Sequence, residues 1–251
     1  GLHPCDINGL VKLDKFLTKG LFPSPYYQSR RRNTIVVGVS CGDPCVDGFC
    51  RAVGANEVTH GFDLFLTDLG DRYFVAIGSD RGYSLLRNVD SAAVTESDKN
   101  DYARARKRFS GKLQTDIQMQ NLTTLLDIEF ESDVWKQWGS KCLSCGNCAM
   151  VCPTCYCYGV REDIAMDFSE STKVKQLYAC NFLDFAEVAG GHNFRPDQGS
   201  RLKYHYYHQH RGFLEGYEEP KCVGCNRCGR ACPVGIHPVG VIRDLQAEEA
   251  S

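Results

Sequence analysis

Two stretches of the chain carry thiols in the same order. Cys142, Cys145, Cys148 and Cys152 are followed by Pro153, and Cys222, Cys225, Cys228 and Cys232 by Pro233, so each run reads C-x2-C-x2-C-x3-C-P. A cubane iron–sulfur cluster needs four thiolates at the corners of a tetrahedron, and three cysteines spaced by two residues wrap one face of it. The fourth thiolate must arrive from elsewhere. In two-cluster ferredoxins the last cysteine of each run serves the other cluster, while the proline turns the chain away. On that pattern one [4Fe-4S] cluster takes Cys142, Cys145, Cys148 and Cys232, and a second takes Cys222, Cys225, Cys228 and Cys152. Such a crossover makes the two clusters neighbours. Gly146 and Gly224 keep the loop backbone bare, so that amides can turn toward the sulfurs and tune the potential. Zinc also takes four thiolates, but its sites are built from separated C-x2-C pairs rather than from a three-cysteine arc with a trailing C-P.

Seven further cysteines complete the total of 15. Cys41, Cys45 and Cys50 share one turn-rich loop, CGDPCVDGFC, and Cys5 can supply a fourth corner from the end of a neighbouring strand. This set is a candidate third iron–sulfur site, with zinc and unligated thiols as open alternatives. Cys155 and Cys157 follow the first run in CPTCYCYG, and Cys180 stands alone farther on. Three thiols fall one short of a cubane, and packing of small buried side chains is the preferred reading. An odd total in tight clusters argues against a disulfide framework and for metal ligands in a reducing compartment, which places the expected location in the cytoplasm.

The elements that position these residues divide the chain near residues 90 to 110. Thr34 to Ser40, TIVVGVS, reads as a buried strand ending at the cysteine loop, and FDLFLTDL from Phe62 with DRYFVAIG from Asp71 reads as a hairpin. Residues 1–100 are thus expected to form a partial α/β domain that starts inside a strand and lacks an upstream part. From Ser97 or Asp98, SDKNDYARARKRF and then DIQMQNLTTLLDIEF show helical spacing. KCLSCGNCAMVCP at Lys141 and KCVGCNRCGRACP at Lys221 form an internal repeat, separated by an insert in which VKQLYACNFLDFAEVAGG from Val174 reads as a helix. The 69 residues between Cys152 and Cys222 are too many for a compact ferredoxin. The expected class is α+β, with residues 101–251 an α-helical two-cluster ferredoxin domain.

Composition sets the outer limits. With 29 basic and 31 acidic side chains, the formal charge of -2 offers no general attraction to nucleic acid or anionic lipid. No stretch has the apolar length of a membrane span. RLKYHYYHQHRGF from Arg201 mixes basic and aromatic residues, but a cover over the clusters or a protein-docking face is a better reading than base stacking. His205, His208 and His210 read as packed or solvated histidines. Neither G-x-G-x-x-G nor G-x4-G-K-[ST] occurs, and no nucleophile, base and oxyanion hole can be assigned, so no catalytic residue is expected.

The residues GLHPCDINGL, PYYQSRRRNTIVVGVSC with DPCVDGFC, KCLSCGNCAMVCPTCYCYGV, AGGHNFRP and KCVGCNRCGRACP together resemble the 4Fe-4S dicluster proteins, which include the beta subunit of cytosolic sulfhydrogenase and the corresponding subunit of anaerobic sulfite reductase. The similarity covers nearly the whole chain. It implies ligation by the eight cysteines of the two runs and a functional role for Cys5, Cys41, Cys45 and Cys50. It also implies two partners: a flavin-containing subunit that handles NAD(P)H or ferredoxin, and a catalytic subunit of hydrogenase or sulfite reductase type. The competing class is a cluster-containing reductase that acts directly on a thiol, disulfide or sulfur substrate through Cys155, Cys157 and Cys180. A zinc-organised interaction module is a third class.

Overall fold

The computed structural model describes residues 1–115 and 117–249. Two compact units emerge, one of Gly1–Gln118 with Cys222–Cys225, the other of Met119–Lys221 with Asn226–Ser251.

In the first unit, helix α1 (Pro4–Lys19) begins where the sequence suggested the end of a strand. Pro4 is suited to a helical first turn, and Asp6 accepts from the His3 amide at 3.0 Å, closing a capping box. Only the bridge between Leu2 and Gly38 is sheet-like there. Cys5 therefore comes from a helix start rather than from a strand. Helix α2 (Pro25–Arg32) follows, and its Arg31 pairs with Asp14 of α1 at 3.1 Å. The expected strand shortens to β1 (Val37–Val39), which lies parallel to β2 (Leu64–Asp68). As the alternation of FDLFLTDL and DRYFVAIG demands, β2 pairs antiparallel with β3 (Tyr73–Ile77). Asp63 ties the entrance of this sheet together, accepting from the Val36 amide at 2.7 Å and from Ser79 Oγ at 2.5 Å. Ser79 also caps α3 (Asp80–Leu86). Helix α4 (Glu96–Lys112) starts at Thr95, two residues before the expected cap, because Thr95 and Asp98 form a reciprocal capping box.

In the second unit, α5 (Leu122–Ile128) realises the later part of the predicted helix, while its expected start at Asp116 lies outside the described residues. Helix α6 (Val134–Lys141) packs against α8 (Gln198–His210) so closely that Gly139 and Gly199 meet backbone to backbone. A Cβ on Gly139 would stand 2.4 Å from Gly199 Cα. Short helices α7 (Asn147–Met150) and α10 (Arg227–Arg230) are the repeat-related turns after each C-x2-C, and they contact each other. The predicted helix from Val174 is not formed. Instead β4 (Tyr158–Ile164) and β5 (Ser171–Leu177) make an antiparallel hairpin, and a short 3-10 turn spans Leu183–Ala186. STKVKQL includes β-branched Thr172 and Val174, and its pairing with Tyr158–Ile164 outweighs a helical period carried by few residues. Helices α9 (Gly212–Tyr217) and α11 (Pro238–Glu249) complete the unit, with Val241, Ile242 and Leu245 of α11 fully buried. Among the described residues no helix is long and apolar enough to cross a membrane.

Candidate metal centres

The two runs share a backbone trace that their glycines disguise. In the first loop Ser144 and Gly146 have φ of 52° and 76°, and in the second Gly224 and Asn226 have 66° and 51°. Each loop thus uses two left-handed residues, at the second and fourth positions after its first cysteine, and spends its single glycine on a different one. Crowding decides which. A Cβ at Gly146 would lie 2.6 Å from the Phe182 ring and 2.8 Å from Ala179 Cβ, while one at Gly224 would lie 2.6 Å from the backbone of Phe49 and Cys50. The left-handed residue in the second position turns its amide onto the first sulfur in both loops: Ser144 N–H donates to Cys142 Sγ at 3.4 Å, and Gly224 N–H to Cys222 Sγ at 3.3 Å. Ile236 N–H does the same for Cys232 at 3.3 Å. Amides aimed at thiolate sulfur are what an iron–sulfur cluster requires of its surroundings.

Within the second unit, Cys142, Cys145 and Cys152 all act electrostatically on Cys148, whose thiol burial pushes up to about 12. Asn147 Nδ2 donates to the carbonyl of Ala231, the neighbour of Cys232, at 3.4 Å. That bond sets the backbone next to Cys232 beside the first loop. Of the second set, Cys228 and Cys152 belong to this unit and Cys222 and Cys225 to the first.

The first unit gathers the N-terminal thiols. Cys5, Cys41, Cys45 and Cys50 line one cavity, and Gly224 and Cys225 line it too. The Phe49 amide donates to the Gly224 carbonyl at 2.7 Å, which fixes the 222–225 strip against the cysteine loop. Burial raises Cys41 to about 11, with the neighbouring Cys50 and Cys45 adding to the effect. Burial raises Cys50 as well. A bound cation or cluster would relieve both, because it takes the thiolate. Cys5 sits in the first turn of α1, where the helix dipole favours negative charge.

Cys155, Cys157 and Cys180 are brought together with Cys152, a grouping the sequence did not disclose. Cys155 donates to Cys152 and Cys180 to Cys157, so one thiol of each pair keeps its proton while the other is held low. Cys152 is lowered first by Cys155, and then by Thr154 Oγ1, at 3.1 Å, and by Lys221. Gln209 Nε2 reaches Cys155 Sγ at 3.5 Å and Cys152 Sγ at 3.8 Å. Cys180 Sγ is 3.4 Å from His205 Nδ1, and Cys148 Sγ donates to Asn181 Oδ1 at 3.4 Å. Among the described residues no three His, Cys, Asp or Glu side chains are gathered for a single metal ion. His205 and His210 are buried, and burial lowers them to about 3 and about 4, whereas the half-buried His208 bonds the Tyr156 hydroxyl at 2.9 Å. The basic and aromatic segment is thus an internal helix face. Thr154, Asn181, Gln209 and Lys221 escaped sequence reasoning; only Lys221, the lysine that leads each repeat, left a trace there.

Comparison with known proteins bears on this donor set. A family model described as a 4Fe-4S dicluster domain matches residues 141–236. The chain is 36% identical over 252 residues to sulfhydrogenase 2 subunit beta of Pyrococcus furiosus, an alignment that covers 98% of this chain and 73% of that relative. No solved structure matches the chain.

Proposed function

We propose, from the premise that the chain belongs to the 4Fe-4S dicluster electron-transfer subunits, that it relays single electrons through three clusters to a catalytic subunit of hydrogenase type. Two [4Fe-4S] clusters take the crossed sets, Cys142, Cys145, Cys148 with Cys232 and Cys222, Cys225, Cys228 with Cys152. A third takes Cys5, Cys41, Cys45 and Cys50. The observation that carries this reading is the cavity of the first unit, in which those four thiols stand beside Cys225, a ligand of the second set. Cys225 thus makes the N-terminal cluster and the second cluster neighbours. The clusters supply one-electron chemistry, and the protein supplies thiolates, amides and burial that set where the electron rests.

A flavin-containing subunit that collects electrons from NAD(P)H or ferredoxin is the proposed donor, and the reducing cytoplasm the proposed compartment. Direct reduction of a disulfide substrate by Cys155, Cys157 and Cys180 finds less support, because Cys157 and Cys180 are buried, at 8% and 2% exposure, with only Cys155 partly open, and a thiolate must reach its target sulfur. The relay is tested by reducing the anaerobic full chain with dithionite and mixing it with an oxidised hydrogenase catalytic subunit. Recovery of the bleached visible absorbance within the turnover time supports it, and reoxidation no faster than with a non-partner iron–sulfur protein refutes it.

A further inference from the structure

Lys221 is 1% exposed, and its Nζ has no hydrogen-bond partner among the described residues. Its backbone amide is pinned to the Gln209 carbonyl at 2.9 Å, and its ammonium lies 4.2 Å over the Tyr156 ring. An ammonium taken out of water costs several kcal/mol unless an anion faces it, and an aromatic face offsets only a part. The thiols of Cys152, Cys155, Cys157 and Cys180 lie within its electrostatic reach, as does the buried imidazole of His205. A cubane with four thiolates balances a buried cation, because its net charge is negative and becomes more so by one unit on reduction.

Lys141, which leads the first run, is placed differently. It is exposed at the end of α6, with Nζ 4.5 Å over the Trp138 ring. The repeat has therefore kept the lysine and diverged in its use.

We propose that Lys221 is the built-in counter-cation of the cluster that takes Cys152, and that it holds this cluster at a higher reduction potential than the cluster of Cys142, Cys145, Cys148 and Cys232. This rests on the ligand assignment above. A fixed positive charge in a low-dielectric interior favours the reduced, more negative state, so the electron rests at the Cys152 cluster. Lys221 positions charge and touches no reacting atom.

The test is a redox titration of the anaerobic full chain, followed by the paramagnetic signals of the reduced clusters and by iron content. Lys221→Met is expected to move one cluster to a more negative potential and leave the others in place, while Lys221→Arg and Lys141→Met move none. Full iron with no shift, or with the same shift in every cluster, overturns the proposal. Should Lys221→Met and Lys221→Gln both lose iron while Lys221→Arg keeps it, the charge itself is required and the proposal stands. Loss in all three makes the side chain a packing element and overturns it. A wild-type chain without cubanes fails the ligand assignment instead, which the iron content reports separately.

Discussion

Replacing Gly224 by alanine probes the link between the second run and the cysteine loop of the first unit. Two costs add. A β-carbon at φ 66° places alanine in the left-handed region, at about 1–2 kcal/mol. The same β-carbon meets the Phe49 carbonyl carbon and the Cys50 amide nitrogen at 2.6 Å. These are backbone atoms held by the 2.7 Å bond from Phe49 N–H to the Gly224 carbonyl, so relief requires the loop to move, at about 1–3 kcal/mol. The sum is roughly 2–5 kcal/mol. With a urea slope of about 3 kcal/mol/M, the unfolding midpoint of the first unit falls by roughly 1 M. Gly111→Ala is the control. It sits in α4 with nothing within 4 Å of its added carbon, and helix propensity makes it stabilising by about 0.5–1 kcal/mol. Anaerobic urea titration at matched iron content measures both. A midpoint for Gly224→Ala within error of wild type, or a rise like that of Gly111→Ala, would refute the crowding argument.

Three further outcomes follow from the same geometry. Cys142→Ala is expected to remove about four irons per chain, and Cys180→Ala none, by iron assay; loss of iron from Cys180→Ala would make that thiol a ligand rather than a packing group. Stability depends on pH through His205 and His210, whose folded values of about 3 and about 4 lie below the ordinary 6.5. Their unfolded forms bind protons first, so the contribution is complete above pH 6.5 and is lost as pH falls toward those folded values, by about 1.4 kcal/mol per unit for each. Unfolding titrations between pH 7 and 5 check this, and a His205→Gln, His210→Gln double variant should flatten the slope. Gly139→Ala drives a carbon to 2.4 Å from Gly199 Cα and should separate α6 from α8 at a cost of about 1–3 kcal/mol; an unchanged melting temperature would contradict the close packing.

The chemistry was more legible in the sequence than the architecture around it. The three-cysteine arcs have a spacing that suits a cubane, so spacing alone pointed to them. The hairpin at Phe62–Gly78 was visible because alternation persists across both strands. The β4–β5 hairpin was hidden, since Val174, Leu177 and Tyr178 satisfy a helical period until their pairing with Tyr158–Ile164 is known. Gly146 and Gly224 were read as equivalent, yet they occupy different left-handed positions, because the neighbours that crowd them, Phe182 and Phe49, are remote in sequence. Lys221 was visible only as a repeat marker. Its burial depends on Tyr156, Gln209 and the fold of α8.

The most direct measurement is iron, acid-labile sulfide and zinc per chain on anaerobically prepared protein, with low-temperature paramagnetic spectra after dithionite. The account predicts about twelve irons with matching sulfide and little zinc, falling to about eight when Cys41 and Cys50 are replaced by alanine. A colourless chain carrying zinc, with no sulfide and no paramagnetic signal, would contradict it.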